Sequence, residues 1–110
     1  MSVIETYRRD NEGYLIHPED WDETVANELA KEEGLVINED YLPIIRYMRD
    51  YWQEFQVAPD VRHVIQHLSE SQGYNKREAK RKLFALFPYG YVKQACKIAG
   101  MKRPRGWSTG

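Results

Sequence analysis

Asp40-Tyr41-Leu42-Pro43-Ile44-Ile45-Arg46-Tyr47-Met48-Arg49-Asp50-Tyr51-Trp52-Gln53-Glu54-Phe55-Gln56 is the stretch that decides the fold class. Within it Tyr41, Ile44, Ile45, Met48, Tyr51, Trp52 and Phe55 recur three or four residues apart. That spacing lays one broad apolar stripe along a helix and predicts a central core helix over 40–56. Pro43 fits only near the start of such a helix, where its missing N–H costs nothing, so Asn38 or Asp40 is the expected cap.

Helical patterns continue on both sides. Upstream, Asp22 is a candidate N-cap for a first helix that turns Val25, Ala26, Leu29 and Ala30 inward and stops at Gly34. Before it, 3–7 and 14–16 have strand-like residues around the turn Arg9-Asp10-Asn11-Glu12-Gly13, which predicts a short β-hairpin packed on the helices. Downstream, Val57-Ala58-Pro59 breaks the central helix, and Pro59 is expected to open a third with Val61, Val64, Ile65 and Leu68 inward. A turn over 69–74 leads to Asn75, a candidate cap for a fourth helix with Glu78 at the capping-box position. Leu83, Phe84, Leu86 and Phe87 pack near its end, and Pro88-Tyr89-Gly90 stops it. A last short helix is expected over 92–99, with Gly100 as its C-cap. Residues 101–110, with Pro104, Gly106 and Gly110, read as a flexible C-terminal arm. The expectation is a mostly α, small bundle of about five helices with an N-terminal hairpin and a helix-turn-helix-like pair. A single domain would span 1–100, followed by the arm at 101–110.

Size and composition agree with one domain. At 110 residues, 42% hydrophobic and 13% aromatic, there is enough apolar surface to offset chain entropy once, not twice. No apolar run approaches the ~20 residues of a membrane span. The N-terminus lacks the basic and then apolar layout of a secretory signal, and a lone cysteine precludes an internal disulfide framework, so the expected compartment is the cytoplasm. The net charge of −1 conceals a division. Residues 1–74 carry 16 of the 17 acidic and 6 of the 16 basic side chains, a net −10, whereas residues 75–110 carry ten basic and one acidic, a net +9. The basic third either lies on the acidic body or meets an acidic surface or nucleic acid elsewhere.

Several groups could carry chemistry. Cys96 is flanked by Lys93 and Lys97, with Lys102, Arg103 and Arg105 beyond. Neighbouring cations stabilise a thiolate, the nucleophilic form, so Cys96 is a candidate reactive thiol; a buried structural cysteine is the plain alternative. His63 and His67, four residues apart on the third helix, have the spacing of two zinc ligands but no evident third, so solvated helix-surface histidines and no metal site are expected. Lys76, Arg77, Lys80 and Arg81 would form the outer face of the second helix of the helix-turn-helix-like pair, a candidate nucleic-acid face. No phosphate loop, nucleophile elbow or metal signature is present, so a self-sufficient enzyme and a resident cofactor are not expected. A carrier or binding module is.

The C-terminal block sharpens this. Leu86-Phe87-Pro88-Tyr89-Gly90, Lys93-Gln94-Ala95-Cys96-Lys97-Ile98-Ala99-Gly100, Pro104 and Gly106 closely resemble the C-terminal signature of the DsrC/TusE family. These are the proteins known as the gamma subunit of dissimilatory sulfite reductase and as the sulfur-relay protein of tRNA thiolation. Glu12-Gly13-Tyr14-Leu15, Trp21, Arg49-Asp50-Tyr51-Trp52, Glu54-Phe55 and Ala58-Pro59-Asp60-Val61-Arg62 follow the family's order, so the likeness covers nearly the whole chain.

The resemblance implies a helical bundle with a swinging arm and a role in sulfur metabolism alongside sulfite reductase or sulfur-transfer proteins. It also implies two arm cysteines in full-length DsrC-type members, a penultimate one that bears sulfur and one 11 positions earlier. Cys96 matches the earlier cysteine; the penultimate position is Trp107, and Tyr91-Val92 replace the usual small residue and Pro. With a single thiol, an intramolecular disulfide or trisulfide is impossible. Cys96 could still hold a persulfide or form a mixed disulfide with a partner. On this reading Lys93, Lys97, Lys102, Arg103, Arg105 and Trp107 are the candidate arm and docking residues. The alternative is a regulatory, DNA-binding paralogue that has lost sulfur transfer.

Overall fold

The computed structural model describes residues 7–104. Its elements are a 3-10 turn Pro18–Asp20, four α-helices, α1 Glu23–Glu32, α2 Leu42–Phe55, α3 Val61–Gln72 and α4 Lys76–Leu86, and a closing π-helix Tyr91–Cys96. The Cα radius of gyration is 13.1 Å, the value of about 13 Å that a single packed domain of this length should have.

The sequence places most of these boundaries by caps. Asp22 accepts the Val25 N–H to start α1. Gly34 and Leu35 end it, donating to the Lys31 and Ala30 carbonyls in a Schellman turn that needs the positive φ of Gly34. Asn75 and Glu78 form the reciprocal capping box of α4, and Gly73 closes α3 in the left-handed conformation. The stripe of α2 supplies Ile44, Ile45, Met48 and Trp52 to a core shared with Val25 and Leu29 of α1, Val64 and Leu68 of α3, and Leu83 of α4.

Four expectations change. Neither Asn38 nor Asp40 caps α2; Tyr41 does so without a side-chain bond, while Asn38 Oδ1 accepts the Asp40 N–H one turn earlier. The stripe of α2 also leaves the core at its C-terminal end, where Phe55 is exposed, because Gln56 terminates the helix in the left-handed region. Pro59 lies outside the first turn of α3, whose cap is Asp60. The hairpin is reduced to a single antiparallel bridge between Arg9 and Leu15, with no strand among the described residues. Residues 3–6 of its expected first strand lie outside the described residues. The physical reason is local. Asp10 Oδ1 takes the Glu12 and Tyr14 N–H groups, and Arg9 Nε donates to the Gly13 carbonyl, so the loop bonds to its own side chains. Tyr14 and Leu15 are then buried side by side, which strand alternation does not permit.

Candidate functional site

The chain's only thiol, Cys96, is the last residue of the π-helix. A π-helix bonds i to i+5, so residues five apart lie one above the other. Tyr91 and Cys96 are five apart, and both are fully buried. The Tyr91 hydroxyl donates its proton to the Pro59 carbonyl. Had 91–99 been an ordinary α-helix, Cys96 would have stacked on Val92 and Lys93 instead.

The thiol is followed immediately by a Schellman turn. The Met101 N–H donates to the Cys96 carbonyl and the Gly100 N–H to that of Lys97, both at 3.0 Å, with Gly100 at φ +78°. Met101 and Cys96 are both buried, the apolar pairing such a turn favours. A clamp holds the turn from outside. Arg49, buried in the flank of the α2 stripe, donates to the Ala99 carbonyl at 3.1 Å and to Pro18 O at 3.0 Å. Its guanidinium lies between the rings of Trp21 and Trp52, 4.7 and 4.9 Å from their centroids. Trp21 Nε1–H donates to Ile98 O at 2.8 Å. A Cβ at Gly100 would overlap Trp21 Cδ1 and lie 2.6 Å from Cγ, so glycine is required twice over, for conformation and for space.

These surroundings set the reactivity. Burial pushes the Cys96 thiol up from 9.0 to about 12, and the neighbouring Tyr91 hydroxyl opposes that only in part. Neither flanking lysine is paired with the thiol in this conformation. Lys97 turns to Glu33, 3.8 Å away, and lies over the Tyr14 ring, while Lys93 lines an open groove of about 370 Å³ with Glu12, Tyr14, Glu33 and Tyr89. Tyr14, whose hydroxyl donates to Val92 O at 2.8 Å, is itself raised from 10.0 to about 12, by burial first and by Cys96 second.

The other candidates separate in space. Arg103 Nη1 pairs with Glu12 at 2.7 Å and lines, with Lys102, a second groove of about 370 Å³ bordered by Pro18, Trp52, Val57 and Met101. Arg105 and Trp107 lie outside the described residues. Lys76, Arg77 and Lys80 come together with Arg62, His63, Ile65 and Gln66 in an open groove of about 770 Å³, more than 15 residues upstream of the thiol in the chain. Arg81 is exposed on the same helix. His63 and His67 stack on Tyr51 and Tyr47, with centroids 5.6 and 4.2 Å apart, and no group of three metal-ligating side chains occurs among the described residues. Arg49, Trp21 and Tyr14 were not legible as site residues from their own chemistry. The one available signal was a charged residue on the edge of the apolar stripe of α2.

Comparison with known proteins places this arrangement. The family model described as "DsrC like protein" matches residues 3–107. The sulfurtransferase TusE of Sodalis glossinidius is 38% identical over 95 residues, which cover 86% of this chain and 87% of that protein. The oxidized gamma-subunit of the dissimilatory sulfite reductase (DsrC) from Archaeoglobus fulgidus superposes with a TM-score of 0.77 at 37% identity, covering 91% of this chain and 90% of that one. Allochromatium vinosum DsrC gives the same TM-score and identity, with 91% and 88% covered.

Proposed function

The chain belongs to the DsrC-like protein family, and from that membership we propose that it is a sulfur-relay protein of the DsrC/TusE type, working with protein partners of sulfur metabolism. The observation that carries this reading is likeness over nearly the full length of both chains to proteins named for sulfur transfer and sulfite reduction. The regulatory DNA-binding alternative has no comparable support.

Within that reading, residues 1–100 form the body and 101–110 the arm that meets the partner, with Lys93, Lys102 and Arg103 at its root and Arg105 and Trp107 beyond. Cys96 carries sulfur only after the turn Ala99-Gly100-Met101 has been lifted off it. Lifting breaks the Met101 and Arg49 bonds to the turn and admits water, which brings the thiol back toward its ordinary acidity. The Cys96 thiolate then attacks the terminal sulfur of a donor persulfide R–S–SH. One S–S bond forms, the donor's S–S bond breaks, and R–S⁻ leaves to be protonated, so no net oxidant is consumed.

The test is intact mass after incubation with glutathione persulfide. Wild type should gain little sulfur at neutral pH. Gly100→Ala, which forces the turn off Trp21, should gain one reductant-labile sulfur atom, and Gly100→Ala/Cys96→Ser none, with circular dichroism confirming that each is folded. If folded Gly100→Ala gains nothing, Cys96 is not a carrier, and the protein serves the relay by docking alone.

A further inference from the structure

Among the described cations of the C-terminal third some are in ion pairs and some, Lys93 and Lys102 included, are not. Lys82 pairs with Asp40 at 3.5 Å, Lys97 with Glu33 and Arg103 with Glu12, so part of the basic third is answered by the acidic body. Lys76, Arg77, Lys80 and Arg81 have no acidic partner among the described residues. Three of those four line the α3–α4 groove, where Arg62 joins them. Arg62 is 86% exposed and already paired: its Nε donates to Asp60 Oδ1 at 3.2 Å, and the same oxygen accepts the Arg62 N–H at 2.8 Å to cap α3.

Folding gives no reason for this arrangement. Lys76 and Arg77 occupy the first two positions of α4, next to the positive end of the helix dipole, where cations are unfavourable. Lys76 with Lys80, and Arg77 with Arg81, are like-charge pairs four residues apart, which repel on a helix face. The helix's own acid, Glu78, is used by the capping box, and no basic residue occupies the last turn, where it would help. A local arrangement that weakens its own helix needs a compensating interaction outside it.

We infer that the α3–α4 groove is a docking surface for an acidic amphipathic segment of another protein. Carboxylates on that segment answer Lys76, Arg77 and Lys80, and an apolar side chain rests on Ile65, which lines the groove and is partly buried. Charge complementarity of this kind selects the partner and speeds encounter. A nucleic-acid duplex suits the surface less well. The net −10 of residues 1–74 opposes an extended polyanion passing the same small body. This inference stands apart from the sulfur-relay reading, because nothing in it requires Cys96.

The experiment is an amide-shift titration of the ¹⁵N-labelled full chain with a short Leu/Glu amphipathic helical peptide at low salt. Shifts should saturate and concentrate at Ile65, Gln66, Lys76, Arg77 and Lys80. Lys76→Glu/Arg77→Glu/Lys80→Glu, checked for its helical signal, should bind about tenfold or more weakly, and a Leu/Gln peptide should not bind. Shifts spread equally over Lys93, Lys102 and Arg103, or no shifts, would overturn the proposal. So would a short DNA duplex that produces the same shifts at lower concentration, or a dimer in sedimentation that the triple substitution abolishes, since these would make the occupant nucleic acid or a second copy.

Discussion

At the residue scale the controlling fact is that the thiol Cys96 and the phenols Tyr14 and Tyr91 are all buried. Cys96 is raised to about 12 and Tyr14 to about 12, and burial raises Tyr91 as well. In each the folded state holds its proton more tightly than the unfolded chain does. The stability these groups contribute is therefore fully present below the unfolded values, near 9 for the thiol and 10 for the phenols, and is lost as pH rises through the folded ones. Each titrating group steepens the loss by about 1.4 kcal/mol per pH unit. Urea midpoints measured from pH 7 to 12 should hold level to about pH 9 and then fall. Cys96→Ser should delay the onset by about one unit, to the range where the tyrosines begin. A wild-type midpoint that is flat to pH 11 would mean that the thiol is solvated in the folded state.

At the scale of elements, α4 and the π-helix show opposite relations between sequence and structure. The capping box of α4 was legible because Asn75 and Glu78 satisfy backbone donors within their own turn. The charges of that first turn work against it, and this yields a stability test separate from binding. Lys76→Glu/Arg77→Glu should raise the melting temperature, with a gain of about 0.3–1 kcal/mol per site, read by calorimetry at low salt and diminished at high salt. A fall would show that the two cations stabilise the free protein and would remove the argument that they answer a partner. The π-helix, by contrast, was expected as an ordinary short helix. Nothing in Tyr91-Val92-Lys93-Gln94-Ala95-Cys96 marks the wider turn locally. It is stabilised by distant groups: Pro59 for the Tyr91 hydroxyl, Tyr14 for the Val92 carbonyl, and Glu33 for the Gln94 amide at 3.3 Å.

At the scale of the molecule, Arg49 joins the two ends of the chain, bonding Pro18 near the beginning and Ala99 near the end from the middle of α2. Arg49→Met keeps much of the volume between Trp21 and Trp52 but leaves the Ala99 carbonyl without a donor and Pro18 O with the Trp21 N–H alone. We expect a loss of about 2–4 kcal/mol by urea unfolding, together with faster alkylation of Cys96 under native conditions. An unchanged midpoint would show that water replaces the guanidinium at no cost. Among the described residues no helix is long and apolar enough to cross a membrane.

By itself the sequence determined what depends on near neighbours and on pattern. The stripe on α2 and the caps Asp22 and Asn75 were readable because a helix face and a first turn are built within a few residues. The family was readable from motifs along nearly the whole chain. The burial of Cys96, its pairing with Tyr91 rather than with the lysines beside it, and the sorting of the basic third into answered and unanswered cations were decided only in the tertiary structure. Each depends on contacts between residues far apart in the chain, such as Tyr91 with Pro59 or Arg103 with Glu12. Desolvation and charge pairing depend on what packs against a group, and local spacing does not contain that information.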